Sequence, residues 1–177
     1  MNTIKLASSI LSLITVLAFY SCDNEPIDPK VDLEAGNSNA VGSYALTAYN
    51  TSIATDLNND GTVSINQMTE TQCYNNNVLT INSNNTFSVT SKGVEIVNPQ
   101  TAPTMACFTR PIITGTWASA NNVLTLTYIE AGATVTQAYI LAGNTLTCTK
   151  NQIEIVATTS NDTPVYLTAD VVVVYSK

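Results

Sequence analysis

The sharpest arrangement of chemistry-bearing residues is an acidic loop at residues 56–67. Oxygen-bearing residues alternate along it as in the front half of a calcium-binding loop, and Gly61 permits the sharp turn that such a loop needs at its sixth position. The candidate ligands are Asp56, Asn58, Asp60, the Thr62 carbonyl and, through water, Ser64. Gln67 stands at the twelfth position, where a bidentate Glu is usual. The alternative is an Asn/Asp-Gly turn between strands, so calcium is one of two open interpretations.

Catalysis has little support in the residue types present. The chain of 177 residues contains no histidine, which excludes Ser-His-Asp and Cys-His nucleophile systems and most catalytic zinc sites. Glu95, Glu130 and Glu154 fall on separate predicted strands, and their spacing gives no reason to bring two of them together as an acid–base pair. Arg110, the only arginine, could bind a ligand carboxylate or form a surface ion pair. We expect a protein that is not an enzyme.

Aromatic side chains in strand-like segments are the best candidates for contact with a small apolar ligand. Their alternative role is ordinary core or cross-strand packing. The candidates are Tyr44, Trp117, Tyr128 and Tyr139, together with Tyr49.

The N-terminal segment has the pattern of an export signal. Lys5 precedes an apolar run from Leu6 to Tyr20, which is short for a bilayer-spanning helix. Cys22 follows at the position where bacterial lipoproteins carry their acylated cysteine, and polar, acidic sequence begins immediately after it. The alternative is an ordinary signal peptide with a coincidental cysteine.

These features predict three regions: a signal peptide at residues 1–21, a flexible acidic tether at 22–39, and one folded domain at 40–177. The tether is rich in Asp, Glu, Pro and Asn and cannot bury itself. The predicted location is the cell envelope, where acyl chains on Cys22 would anchor the protein to the outer membrane. The formal net charge of −7 makes nucleic acid an unsuitable partner; a protein partner cannot be named from the sequence.

From Val41 onward, the hydrophobic pattern has a period of two, which indicates β-strands. Only 11% of the residues are charged, and β-branched residues are abundant, as is typical of sheets. The Asn-rich segment 82–85 predicts a hairpin, and Lys150-Asn151 predicts a further turn. Eight to ten short strands predict an all-β fold, either a meandering antiparallel barrel or a β-sandwich.

The chain resembles the lipocalin-like lipoproteins of Gram-negative bacteria over residues 40 to 157. The motifs that carry this resemblance are Val41-Gly42-Ser43-Tyr44, Cys73, Val78-Leu79-Thr80-Ile81, Asn84-Asn85-Thr86-Phe87, Cys107, Gly115-Thr116-Trp117 and Val123-Leu124-Thr125-Leu126. Tyr44 stands where classical members have Trp.

The resemblance implies an antiparallel barrel of about eight strands whose interior can hold a small apolar ligand. It also implies a disulfide between Cys73 and Cys107. Cys148 alternates with Leu146 within a predicted strand, and we expect it to be buried and free. The leading hypothesis is a non-enzymatic binding protein. The alternative is a structural lipoprotein whose barrel is filled by its own side chains and which docks to a protein partner.

Overall fold

The computed structural model describes residues 38–177. The predicted signal peptide, Cys22 and most of the tether therefore lie outside the described residues. The described residues form nine strands: β1 (Gly42–Thr55), β2 (Ser64–Asn66), β3 (Val78–Ile81), β4 (Thr86–Val97), β5 (Thr104–Ala120), β6 (Val123–Glu130), β7 (Ala133–Ala142), β8 (Thr145–Thr158) and β9 (Pro164–Ser176). They are joined by one short helix, α1 (Gln67–Glu70), and by 3₁₀ turns at Ser38–Ala40 and Gln72–Tyr74. Residues 38–177 contain no helix with the length and apolarity needed to span a bilayer.

Eight of the strands form a closed antiparallel barrel in the order β1-β3-β4-β5-β6-β7-β8-β9. Closure comes from β9, which pairs with β1 from Ala45 opposite Ser176 to Thr51 opposite Val171. The additional strand β2 pairs with the second half of β1. The all-β barrel prediction is therefore confirmed, and the architecture is a closed barrel rather than a sandwich.

The predicted hairpin at residues 82–85 is confirmed, since it joins β3 to β4 with Asn85 at a φ of 61°. The predicted turn at Lys150-Asn151 is wrong. β8 continues through this point, with a register irregularity between Lys150 and Ile153 and with Gln152 at a φ of 53°. Asp170 on β9 accepts hydrogen bonds from the backbone and side-chain nitrogens of Gln152. An Asn-containing sequence has therefore formed a bulge instead of a turn.

One end of the barrel, called the base here, contains the 3₁₀ turn Ser38–Ala40 and the hairpin turns at 82–85, 121–122 and 143–144. Tyr44 is fully buried, and its hydroxyl donates to the Ala40 carbonyl at 2.9 Å. Trp117 is also buried, and its indole Nε1 donates to the Asn82 carbonyl at 2.9 Å. The base is therefore sealed by two aromatic side chains whose polar atoms are satisfied by backbone carbonyls.

Gly115 on β5 marks a close approach between strands. A Cβ atom at this position would lie 2.1 Å from the Thr127 carbonyl oxygen and 2.8 Å from the Phe87 ring. Only glycine allows β5 to pass this close to β6. The Gly115-Thr116-Trp117 motif therefore has two structural roles. Gly115 leaves room for the close approach of β5 to β6, and Trp117 places its ring at the base.

The opposite end, called the mouth end here, is built from the β4–β5 and β8–β9 hairpins and from the segment between β1 and β3. A second small core forms here from Leu57, Ile96 and Val156. The Cys73–Cys107 disulfide joins the 3₁₀ turn Gln72–Tyr74 to β5, so the implied pairing is present. Cys107 itself lies on a strand. The bridge fixes the segment that carries Tyr74 onto the barrel wall.

Two neighbouring strands of the barrel diverge toward the mouth end. β7 pairs with β8 only from Ile140 opposite Thr147 to Ala142 opposite Thr145, near their shared turn. Farther from the base, β7 stays paired with β6, and β8 stays paired with β9. Backbone pairing between β7 and β8 is therefore incomplete toward the mouth end. This leaves inward-facing side chains of both strands beside an interior space.

Candidate functional site

The barrel interior holds a cavity of about 130 Å³ on the mouth side of the base. Its lining comes from β1, β4, β5, β6, β7, β8, β9 and the segment between β1 and β3. An engineered apolar cavity of about 150 Å³ in another protein holds benzene. The space is therefore similar in size to one that holds a single aromatic ring.

Three pairs of aromatic rings form part of the apolar wall of the cavity. Tyr49 stacks on Tyr74 with ring centroids 4.6 Å apart. The Phe87 and Tyr128 rings meet edge to face at 6.1 Å, and the Tyr139 and Tyr175 rings at 6.3 Å. All six residues line the cavity. Because each ring is held by a partner ring, the wall is pre-formed rather than assembled by a ligand.

Burial keeps the tyrosine hydroxyls of this wall in their neutral form. It raises the pKa of Tyr74 and Tyr139 well above the usual value near 10, and the proximity of Tyr49 and Tyr175, respectively, raises them further. Burial, with smaller contributions from Cys148 and Tyr49, raises the pKa of Tyr175 to about 12. These hydroxyls therefore stay protonated from neutral pH well into the alkaline range, where they can donate as well as accept hydrogen bonds.

The polar part of the lining includes two lysines, Lys92 and Lys150, and the amide of Gln137. Lys150 follows Leu146 and Cys148 at intervals of two along β8, and both of those side chains are buried in the core. Lys150 therefore occupies an inward-facing position of the strand. The Gln137 amide nitrogen lies 2.8 Å from Cys148 Sγ, which links β7 to β8 where their backbones have separated.

Bulges in two strands determine which side chains face the cavity. The β1–β9 register shifts between Leu46 and Ala48, so that Leu46 and Tyr49, rather than residues two apart, both line the cavity. The β4–β5 register shifts between Val89 and Ser91, just before Lys92. A one-residue shift exchanges the inward and outward faces of a strand, and here the shifts direct Tyr49 and Lys92 to the interior.

Asn77 anchors the wall beside Lys92. Its side chain accepts a hydrogen bond from the Lys92 backbone nitrogen at 2.8 Å and donates to the Lys92 carbonyl at 2.9 Å. The Tyr74 hydroxyl donates to the buried Gln67 side chain, which in turn donates to the Val156 carbonyl at 3.1 Å. This network joins the segment between β1 and β3 to β4 and β8.

The comparison with protein-family models gives one match, to a lipocalin-like domain over residues 40–148, which is more than half of the chain. The chain belongs to the lipocalin-like domain family. Searches of curated proteins and of solved structures gave no match. The eight-stranded closure and the interior cavity agree with this membership, and the family match does not extend to lipid anchoring.

The structure separates the four aromatic residues predicted to contact a ligand. Tyr128 and Tyr139 line the lipocalin-like cavity, as does Tyr49. Tyr44 and Trp117 lie outside its lining and seal the base instead. All of them were predicted on the same ground, as aromatic residues in strand-like segments. They differ in height along the barrel axis, which depends on strand register.

Among the cavity residues that sequence reasoning missed are two tyrosines, Tyr74 and Tyr175, and the two lysines, Lys92 and Lys150. A charged residue two positions after Cys148 in a period-two strand could have pointed to Lys150. Lys92 carries no such signal, because the bulge at residues 89–91 breaks the alternation before it. Tyr74 lies in a 3₁₀ turn, whose position is fixed by a disulfide rather than by strand periodicity.

The acidic loop adopts a tight turn held by its own side chains. Asp56 carboxylate oxygens accept from the backbone nitrogens of Asp60 and Gly61 at 3.1 and 2.8 Å, and an Asp60 oxygen accepts from the Thr62 nitrogen at 2.7 Å. Gln67, at the twelfth position, is fully buried and turned toward Val156. Among residues 38–177, no cluster of three or more Asp, Glu, Cys or His side chains could hold a metal ion. Calcium binding here, with Asn58 and Ser64 as further ligands, stays a prediction.

The other candidate groups lie outside the cavity lining. Glu95, Glu130 and Glu154 are exposed on β4, β6 and β8. Arg110 is exposed, and its guanidinium carbon lies 4.9 Å from the centroid of the Phe108 ring. Cys148 is buried and free, as predicted, and burial raises the pKa of its thiol.

Proposed function

We propose that this protein is a lipid-anchored binding protein of the bacterial cell envelope whose barrel holds one small, largely apolar molecule. The observation that carries the binding function is the cavity of about 130 Å³ with its three pairs of aromatic rings. A concave, mostly apolar space with a few polar groups is the usual form of a small-molecule site. Membership of the lipocalin-like domain family supports the same function.

The anchor and the location rest on the N-terminal sequence. The apolar run that ends just before Cys22, and the acidic segment after it, support acylation of Cys22 and residence at the outer membrane. Kinship with Gram-negative lipoproteins is part of this proposal. A non-enzymatic role is supported by the absence of histidine from the sequence and by a family whose members generally bind small molecules.

The direct test is to purify the protein from its native envelope without added ligand and to analyse a solvent extract by mass spectrometry. We expect one dominant small molecule at close to one per protein. A Val89→Phe variant should lose it, because Val89 lines the cavity and the larger ring would fill it. The matched control is Val123→Phe, which adds the same ring at a position 38% exposed and should retain the ligand.

An empty extract from the wild-type protein, with circular dichroism showing a folded barrel, would contradict this proposal. The function would then be that of a structural lipoprotein with a filled barrel, and a protein partner would be sought by crosslinking in the envelope.

A further inference from the structure

The distribution of cationic residues is uneven in a strongly acidic protein. Residues 38–177 contain four cationic side chains, Lys92, Arg110, Lys150 and Lys177, against eight acidic ones. Two of the four cations, Lys92 and Lys150, line the barrel cavity, whereas no Asp or Glu of the described chain is in that lining. The interior surface is therefore positive while the protein as a whole is negative.

The two cavity lysines differ from the other two cations of residues 38–177 in having no protein partner for their charged groups. The Lys177 ammonium donates to the carbonyls of Asn39 and Val41 at 2.7 and 2.9 Å. Arg110 lies over the Phe108 ring. Within residues 38–177, the ammonium groups of Lys92 and Lys150 have no hydrogen-bond or carboxylate partner, although both side chains are half-buried. These two ammonium groups are therefore not engaged by the described part of the protein and are available to an anionic ligand group, which accepts charge-assisted hydrogen bonds from them.

Both lysines lie on strands of the barrel, Lys92 on β4 and Lys150 on β8, rather than in loops. Lys150 continues the inward-facing row that begins with Leu146 and Cys148. Lys92 lies just beyond the β4 bulge, and Asn77 holds its backbone by two hydrogen bonds. Both backbones are thus fixed by sheet pairing or by a buried amide, and both side chains reach the same 130 Å³ space.

We propose that the ligand of this cavity is an amphipathic organic anion, whose apolar body of about one aromatic ring packs among the tyrosines and whose anionic group binds between Lys92 and Lys150. This inference rests on the proposed binding function and adds the charge and size of the ligand. The neutral hydroxyls of Tyr139 and Tyr175, two of the tyrosines in the wall, supply further donors to an anion. Carboxylate, sulfonate and phosphate share this chemistry.

The test compares two probes that differ only in charge, 3-phenylpropionate and its neutral amide, by calorimetric titration into the purified full chain. We expect the anion to bind about tenfold or more tightly than the amide, since hydrogen bonds to charged groups are worth more than neutral ones. In a Lys92→Gln/Lys150→Gln variant the preference should disappear, while the affinity for the amide stays unchanged. Lys92→Arg/Lys150→Arg should restore part of the preference.

The control is Arg110→Gln, which removes one positive charge outside the cavity and should leave the preference intact; the single variants Lys92→Gln and Lys150→Gln, which match it in charge, should each weaken the preference. Circular dichroism verifies that each variant is folded. Equal affinities for the two probes in the wild-type protein, or an undiminished preference in the double variant, would overturn the anion proposal and leave small-molecule binding standing. Failure of both probes to bind would contradict the proposed function itself.

Discussion

The Lys177 ammonium lies 4.8 Å from the centroid of the Tyr44 ring, so the last residue of the chain packs over the aromatic ring of the first strand. The same ammonium donates to the carbonyl of Asn39, within the 3₁₀ turn at Ser38–Ala40, and to that of Val41, just after the turn. A cation over an aromatic face at a partly exposed site contributes about 0.5–1 kcal/mol. This contact ties the two ends of the folded domain to each other at the base of the barrel.

Replacement of Lys177 should therefore weaken the base without affecting the cavity. We expect Lys177→Met to lower the free energy of unfolding by about 1 kcal/mol, as measured by urea denaturation. Tyr44→Phe should cost about 1 kcal/mol as well, because it removes the hydroxyl that donates to Ala40. Probe affinity should be unchanged in both variants; a loss of affinity would show that the base and the cavity are coupled.

Reduction of the Cys73–Cys107 disulfide should affect both stability and binding. The bridge joins residues 34 positions apart in the sequence, and closing a loop of that length contributes roughly 3–4 kcal/mol in the chain-entropy model. The bridge also positions the turn that carries Tyr74. We expect the Cys73→Ser/Cys107→Ser variant to unfold at a clearly lower denaturant concentration and to bind apolar probes more weakly. Cys148→Ala, which removes the free thiol, is the control and should leave the response to reductant intact.

Alkaline pH should destabilise the barrel through its cavity tyrosines. Burial raises the pKa of Tyr175 to about 12, above its ordinary value of 10.0. A group whose pKa is higher in the folded state contributes stability fully below the unfolded pKa, and this contribution is lost as the pH rises through the folded pKa. We expect the free energy of unfolding to fall between about pH 10 and pH 12, with a smaller fall in Tyr175→Phe. Denaturation curves that match at pH 9 and pH 12 would contradict this.

Calcium binding by the acidic loop can be tested separately from ligand binding. Because Gln67 is turned into the core and cannot complete a ligand set, we expect affinity no better than the weak extracellular class of about 0.1–1 mM. The measurement is calorimetric titration with calcium, with Asp56→Asn/Asp60→Asn as the control that should abolish any heat. A wild-type trace without heat at millimolar calcium would remove calcium as a cofactor and leave the loop as a plain turn.

The proposed acylation of Cys22 would give a mature protein with a defined, lipid-modified N-terminus. We expect the mature protein to begin at Cys22, to incorporate labelled palmitate in growing cells and to partition into detergent. Cys22→Ser should abolish labelling, whereas Cys148→Ser should not. Labelling that survives in the Cys22→Ser variant would contradict this anchor.

Local patterns in the sequence predicted the strands but not their relative heights. Tyr128, Tyr139, Tyr44 and Trp117 are all predicted to contact a ligand because they are aromatic residues in strand-like segments. Which of these residues reach the cavity depends on pairings such as Trp117 opposite Leu126 and Tyr44 opposite Leu79. Those registers are set by turns and bulges. The bulge before Lys92 interrupts the alternation of inward and outward residues along β4, so the alternation does not reveal on which face Lys92 lies. The sequence therefore predicted the barrel and part of its lining, but not the cationic pair.

The pairing of β1 with β9 has a consequence for how the chain acquires its fold. Thr51 and Val171 are neighbours across this seam although they are 120 positions apart in the sequence, and contacts of such long range slow folding. During synthesis or export, the β1 edge stays unpaired until the last strand has emerged. A chain truncated before Pro164 would expose the edges of β1 and β8 permanently, and unpaired edges of this kind recruit other chains into aggregates.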